Sequence, residues 1–165
     1  MNFKRLLVFN MSLFFASVIV AKNSAFIDTS VTNKGKLIIV GGGIGVALVG
    51  SYWYVQESWW SDNQKKFHFD EGSDLTYALN VDKLGHFLGG VGSSEVFASS
   101  LAWAGTNKNT AVWCGAFFGT GLQLGIEMKD AYAPYWGFSK WDFALGTAGS
   151  FWPVAQHYYS TLKAV

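Results

Sequence analysis

Hydrophobic and polar positions fall in long blocks along this chain, the patterning of helices rather than of alternating strands. Leu6 to Val20 is a continuous apolar stretch behind Lys4 and Arg5. A second stretch, Leu37 to Val55, carries no charge and approaches the length that crosses a bilayer. Leu84 to Trp103, Ala111 to Met128 and Ser139 to Tyr159 follow, with polar segments between them. The short polar turn Gly105 to Thr110 predicts that the helix after it runs antiparallel to the one before. Asp130 to Gly137, which contains Pro134, reads as a loop, and Pro153 predicts a kink inside the last helix. The pattern predicts an all-α fold. It is a bundle of about four glycine-rich apolar helices, membrane-embedded or membrane-associated, after an N-terminal signal.

Three divisions follow from the same blocks. Residues 1–21 read as a signal peptide or signal anchor, with Ala21 the small residue for cleavage. Residues 22–35 are polar and predict a flexible arm, and 36–165 form a single helical domain. Within it the polar loop 56–81 sets Glu57, Asp62, Asp70, Glu71 and Asp74 against Lys65 and Lys66. That loop is expected at the surface, with room for a short interfacial helix. The signal implies export to the cell envelope, with periplasmic exposure beside a membrane.

The glycines sharpen the membrane reading. Gly41, Gly42, Gly43, Gly45 and Gly50 weaken a lone helix in water, whereas in a membrane small residues let helices approach closely. Tyr52, Trp53 and Tyr54, with Trp59 and Trp60 beyond, suit a headgroup layer. Gly115 with Gly119, and Gly121 with Gly125, repeat the close-packing spacing in the third helix. Only 14% of the 165 residues are charged and half are hydrophobic, against about a quarter charged in a soluble domain. A net charge of +1 with Arg5 the sole arginine excludes a nucleic-acid binder. Cys114 is the only cysteine, so no disulfide closes within the chain and no N-terminal cysteine is there to carry lipid. In its apolar run it reads as a small core residue.

The candidate chemistry gathers at one end. If four helices run through the bundle, the end of the first, the start of the second, the end of the third and the start of the fourth share a side. Asp82, Lys83 and His86 start the second, Glu127, Lys129 and Asp130 end the third, and Ser139 and Asp142 start the fourth. Asp82 and His86 share a helical face with Gly89 and Ser93, and Asp142 shares one with Gly146 and Gly149. Gln123, Glu127 and Asp130 form one face over Gly119. Each polar group sits over small residues, so it should point between helices. Plainer roles compete. Ser139 with Asp142 reads as a capping box, Asp82 and Lys129 complement helix dipoles, and Glu127 near a C-terminus needs a partner. Glu95 lies on the opposite side of its helix and reads as a separate pair or a water-facing residue.

The spacing Asp82-Lys83-x-x-His86, then Glu127 and Asp130, then Trp136-Gly137-Phe138-Ser139-x-x-Asp142 and Gly149, resembles the YfiM-like family of predicted periplasmic (lipo)proteins. That family is distantly similar to the VanZ-like membrane proteins linked with glycopeptide-antibiotic resistance. The resemblance implies a periplasmic site and no established activity. Simple crossing from an external residue 36 would instead put the polar end in the cytoplasm, unless the helices do not all span. This sequence departs from the family in having Gly146 where an asparagine is frequent, and in lacking a lipidation cysteine.

Two function classes follow. In the first, the Asp/His/Glu cluster is structural or binds membrane lipid, an envelope protein partner or a second copy of the chain. In the second, a membrane-embedded hydrolase or transferase acts on a lipid or cell-wall precursor. Its catalytic candidates are Asp82, Lys83, His86, Glu127, Asp130, Ser139 and Asp142. A divalent metal would be held by Asp82, His86, Glu127 and Asp130, with Asp142 in reserve. Ser139 is the one candidate nucleophile and is better explained as a cap, so that chemistry would need an activated water.

Overall fold

A computed structural model describes residues 31–58, 60, 63–70, 74–76 and 80–164. The signal 1–21 and most of the arm 22–35 lie outside the described residues. The elements are α1 (Lys34–Ser58), α2 (Val81–Trp103), α3 (Lys108–Asp130), α4 (Lys140–Tyr158) and a closing 3₁₀ turn (Ser160–Ala164). The four apolar blocks from Leu37 onward each correspond to one of these helices, with ends within three residues of those expected. Pro153 lies within α4.

The ends have local causes. α2 stops where Gly105 adopts a left-handed φ of 87°, and its N–H reaches back to Ala102 O while that of Thr106 reaches Leu101 O. Only glycine takes that conformation without a Cβ penalty. Asn107 then caps α3 by accepting from the N–H groups of Asn109 and Thr110. Ser139 caps α4 by accepting from the N–H of Asp142 at 2.9 Å.

α2, α3 and α4 pack against one another along their lengths, and their closest approaches are between glycines and backbone. A Cβ at Gly90 would run into Gly146 O, and one at Gly149 into Phe87 O. At Gly115 it would lie 2.5 Å from Ser94 O. The apolar interior is correspondingly small: Ala98, Val112, Ala116 and Val154, with Phe151 against them. Larger side chains lie outside. Phe117 and Leu124 of α3, Leu84 and Leu88 of α2 and Trp141 of α4 are all exposed, while the largest fully buried side chains are Glu127, Ser94 and Ser150.

Two expectations are corrected here. The four helices are present, but the packed bundle is built from three of them. α1 has no buried residue and, among the described residues, is tied on only at its ends. Asn33 N–H donates to Ala104 O at 2.8 Å and the Lys36 ammonium to Trp103 O at 3.2 Å. At the other end Lys129 donates to Gln56 Oε1 at 2.7 Å. Cβ atoms at Gly41, Gly42, Gly43, Gly45 and Gly50 would meet nothing, and the same holds for Gly121 and Gly125. Among the described helices, α1 alone is long and apolar enough to cross a membrane.

The second correction concerns loop 56–81. Residues 56–58 still belong to α1 and a 3₁₀ turn at Asn80 leads into α2, while the described residues between them, 60, 63–70 and 74–76, hold no helix. Residues 63–70 run extended beside the loop after α3 and form an isolated parallel bridge, Phe69 with Phe138. Phe138 N–H donates to His68 O and Asp70 N–H to Phe138 O, at 2.9 and 3.1 Å. Phe67, Phe69, Tyr132 and Phe138 stack edge-on or tilted around this bridge. Backbone hydrogen bonds and these ring contacts together hold the polar loop against the end of the bundle.

Candidate functional site

The site is assembled at the end of the bundle where α2 starts, α3 ends and α4 starts. Two loops and the end of α1 complete it. Asp82, Lys83, His86, Glu127, Asp130, Ser139 and Asp142 all line one cavity of about 760 Å³. Trp60, Asp74, Gln123, Tyr135 and Trp136 line it too.

One half of this lining is a closed ionic knot. The Lys83 ammonium lies 2.7 Å from Asp74 Oδ1 and 3.2 Å from Asp142 Oδ1, with all three side chains largely buried. Burial would pull the Lys83 pKa down, but its two carboxylate partners outweigh that and push it above the ordinary lysine value. Ser139 Oγ donates to Asp74 Oδ1 at 2.8 Å while it accepts from Asp142 N–H. In a capping box the third helical residue would reach back to the cap's N–H. Here Asp142 holds Lys83 instead, and Glu127 Oε2 of α3 takes the Ser139 N–H at 2.9 Å. That is the partner Glu127 needed. Its charge lies at the wrong end of its own helix dipole but at the favourable N-terminus of α4.

The other half is less tightly bonded. His86 Nδ1 meets Gln123 Oε1 at 2.9 Å and Glu127 Oε1 at 3.6 Å. Its Nε2 lies 3.9 Å from Asp82 Oδ1, too far for a hydrogen bond. Gln123 fills the space beside Gly146, where a Cβ would sit 2.7 Å from its side chain. The polar contact that an asparagine at 146 would supply thus comes from α3. Ligand atoms of Asp82, His86 and Asp142 lie within 4.8 Å of one another. Asp142 therefore stands beside His86. Among the other residues expected to ligate, Glu127 lies behind the imidazole, and Asp130 accepts from Trp60 Nε1 at 2.6 Å.

Burial dominates the electrostatics. It pushes Glu127 up to about 7, against the pull of Ser139 N–H and His86. It raises Asp82, helped by the adjacent Asp142, and raises Asp130 despite the Trp60 hydrogen bond. Carboxylates outnumber cations in the cavity wall, so each added negative charge is costly there.

Sequence reasoning missed Asp74, which holds both Lys83 and Ser139. It stood among five loop acids and no periodicity separated it from them. Trp60 was assigned to a headgroup layer, yet its indole N–H is committed to Asp130. The adjacent Lys129 ammonium sits 5.2 Å from its ring centre.

The fold and site define an all-helical protein with a buried ionic cluster at one end of a glycine-packed bundle. The chain belongs to the family described as "Predicted periplasmic lipoprotein (DUF2279)", whose model matches residues 69–157. The matched span takes in the three packed helices and both halves of the site, and the description agrees with the expected envelope location. No curated protein and no solved structure matches the chain.

Proposed function

We propose that this chain is a membrane-associated envelope protein that binds the polar end of an amphiphilic ligand without converting it. The observation that carries the reading is the cavity of about 760 Å³, placed where a fixed polar floor meets an apolar exterior. Its volume lies in the range of small-ligand pockets. The floor is already tied into caps and ion pairs, which suits holding a headgroup better than turning one over. Around it the usual burial order is inverted. Small and polar side chains fill the bundle while large apolar ones face outward, the arrangement expected where lipid rather than water is the solvent. Tyr52, Trp53 and Tyr135, all exposed, stand at the same end, where interfacial aromatics belong. α1 supplies the apolar helix that would keep the cavity at the membrane surface.

The test uses Gly85, which lines the cavity and has open space where its Cβ would be. Gly85→Leu raises helix propensity and fills the cavity without touching the knot. Full-length protein extracted in mild detergent should carry about one amphiphile per chain by mass spectrometry. The leucine variant should stay in the membrane fraction and lose it. An identical lipid complement in both proteins would sink the reading.

A further inference from the structure

We propose that Asp82, His86 and Asp142 form a binding site for one borderline divalent transition-metal cation, Zn²⁺ or Mn²⁺, on the wall of the cavity. The inference stands apart from the lipid reading, since a bare metal ion suffices to test it.

Three independent features meet at this point. The first is geometric. One ligand atom from each residue lies within 4.8 Å of the other two, and Nε2 of His86 is 3.9 Å from Asp82 Oδ1. Two ligands on one ion, each at about 2.0–2.2 Å, stand some 3–4 Å apart, so the gap is ligand–ligand spacing rather than hydrogen-bond spacing. The second is the state of the imidazole. Nδ1 faces two oxygen acceptors, Gln123 Oε1 and Glu127 Oε1, so it carries the proton. Nε2 then presents its lone pair towards Asp82 with no hydrogen-bond partner among the described residues. A ligating histidine is typically held in this way, its far nitrogen donating to an amide or carboxylate oxygen behind it. Glu127 is 1% exposed, and its Oε1 accepts no hydrogen bond at normal length from a described residue. It is thus a buried carboxylate behind the ring that gains a strong donor once the ring is polarised by metal.

The third is charge. The Asp82 and Asp142 carboxylates face one another beside the imidazole with ligand atoms within 4.8 Å, and two carboxylates brought that close repel unless a cation stands between them. Lys83 does not fill that role for Asp82, because its ammonium is divided between Asp74 and Asp142. One nitrogen and two carboxylate oxygens make a donor set for Zn²⁺ or Mn²⁺, whereas Mg²⁺ and Ca²⁺ favour all-oxygen shells. A cation here would have a side open to the cavity.

The experiment takes the full chain in detergent, strips it with chelator and dialyses it against Zn²⁺, Mn²⁺ or Mg²⁺ alone. Elemental analysis should find about one Zn²⁺ or Mn²⁺ per chain, and the melting temperature should rise until that ratio is reached. His86→Ala and Asp82→Asn should each retain at least tenfold less metal. Asp82 is the more exposed of the pair, so its asparagine variant keeps the test decisive if His86→Ala does not fold. Absence of retained metal in the wild type would overturn the site. So would equal retention in the Asp82→Asn protein, or selective retention of Mg²⁺.

Discussion

α1 is richer in glycine than the α2–α4 bundle, yet its glycines and those at the bundle's crossings do opposite things. In the bundle, a Cβ at Gly90, Gly115 or Gly149 would run into a neighbouring backbone, and one at Gly146 into the Gln123 side chain. In α1, Gly41, Gly42, Gly43, Gly45 and Gly50 face open space. A glycine stripe is therefore a packing device only when a partner helix carries its own small or polar residues opposite. Bundle glycines lie over Ser94, Ser150 and Gln123, whereas among the described residues α1 meets the rest of the chain only through its ends. The same contrast divides the molecule energetically. Stability resides in α2–α4 and the knot at their shared end, and α1 is the part left over for the environment.

The largest effect that would test this division is a side chain at the tightest crossing. Gly149→Leu must separate α4 from the Phe87 backbone. Overpacking against backbone cannot be relieved by a rotamer change, so the expected loss is above about 4 kcal/mol, seen as absence of folded protein in size-exclusion and circular dichroism. A normally melting Gly149→Leu protein would show that the helices do not cross there.

Next comes the knot. Lys83→Met removes the one cation between Asp74 and Asp142 and leaves both carboxylates largely buried. Stranding a buried charge costs about 3–5 kcal/mol, which chemical unfolding in detergent would register. The double change Lys83→Met with Asp74→Asn should recover part of that loss, because it removes one of the stranded charges. No recovery would mean that Lys83 acts through packing of its stem.

Glu127 gives a smaller, pH-dependent effect. Burial raises its pKa from 4.5 to about 7, so the folded state holds a proton that the unfolded chain has already released. Its contribution is fully present below 4.5 and is lost as pH rises through about 7. Asp82 and Asp130 shift in the same direction. Chelator-treated protein should therefore be more stable and melt higher at pH 5.5 than at pH 8, by about 2 kcal/mol from Glu127. Glu127→Gln keeps an acceptor for Ser139 N–H and should flatten most of that slope. A melting temperature that falls on acidification would contradict the buried, protonated carboxyl.

The fold was legible because its causes are local. Apolar blocks, Gly105, Asn107 and the Ser139 cap each act within a few residues, so the ends of α2, α3 and α4 follow from neighbours in sequence. The convergence of Asp82, His86, Glu127 and Asp142 was legible too, because antiparallel helices leave little choice of end. The division of labour among them was not. That Glu127 rather than Asp142 completes the cap of α4, and that Gln123 rather than a residue at 146 meets His86, depends on helix rotation and crossing distance. Asp74 depends on a loop held down by Phe67, Phe69 and Phe138, a cluster spread over more than seventy positions. The packing of α1 was misjudged for the same reason: glycine spacing shows what a helix permits, and only the facing surface shows what it meets.

The smallest effect sharpens that last point most. Gly43→Ala in α1 adds a methyl where nothing lies within 4 Å. In a helix exposed on all sides, alanine is better than glycine by roughly 0.5–1 kcal/mol. The expected outcome is thus an unchanged or slightly higher melting temperature, against collapse for any added side chain at Gly149. The comparison then turns on environment. If α1 also meets nothing in a lipid bilayer, Gly43→Leu should be as harmless in bicelles as in detergent. If Gly43→Leu is tolerated in detergent but lowers the amount of assembled protein in bicelles, the α1 stripe has a helical partner that only the membrane brings to it. Such a result would give its glycines the same role as those of the bundle.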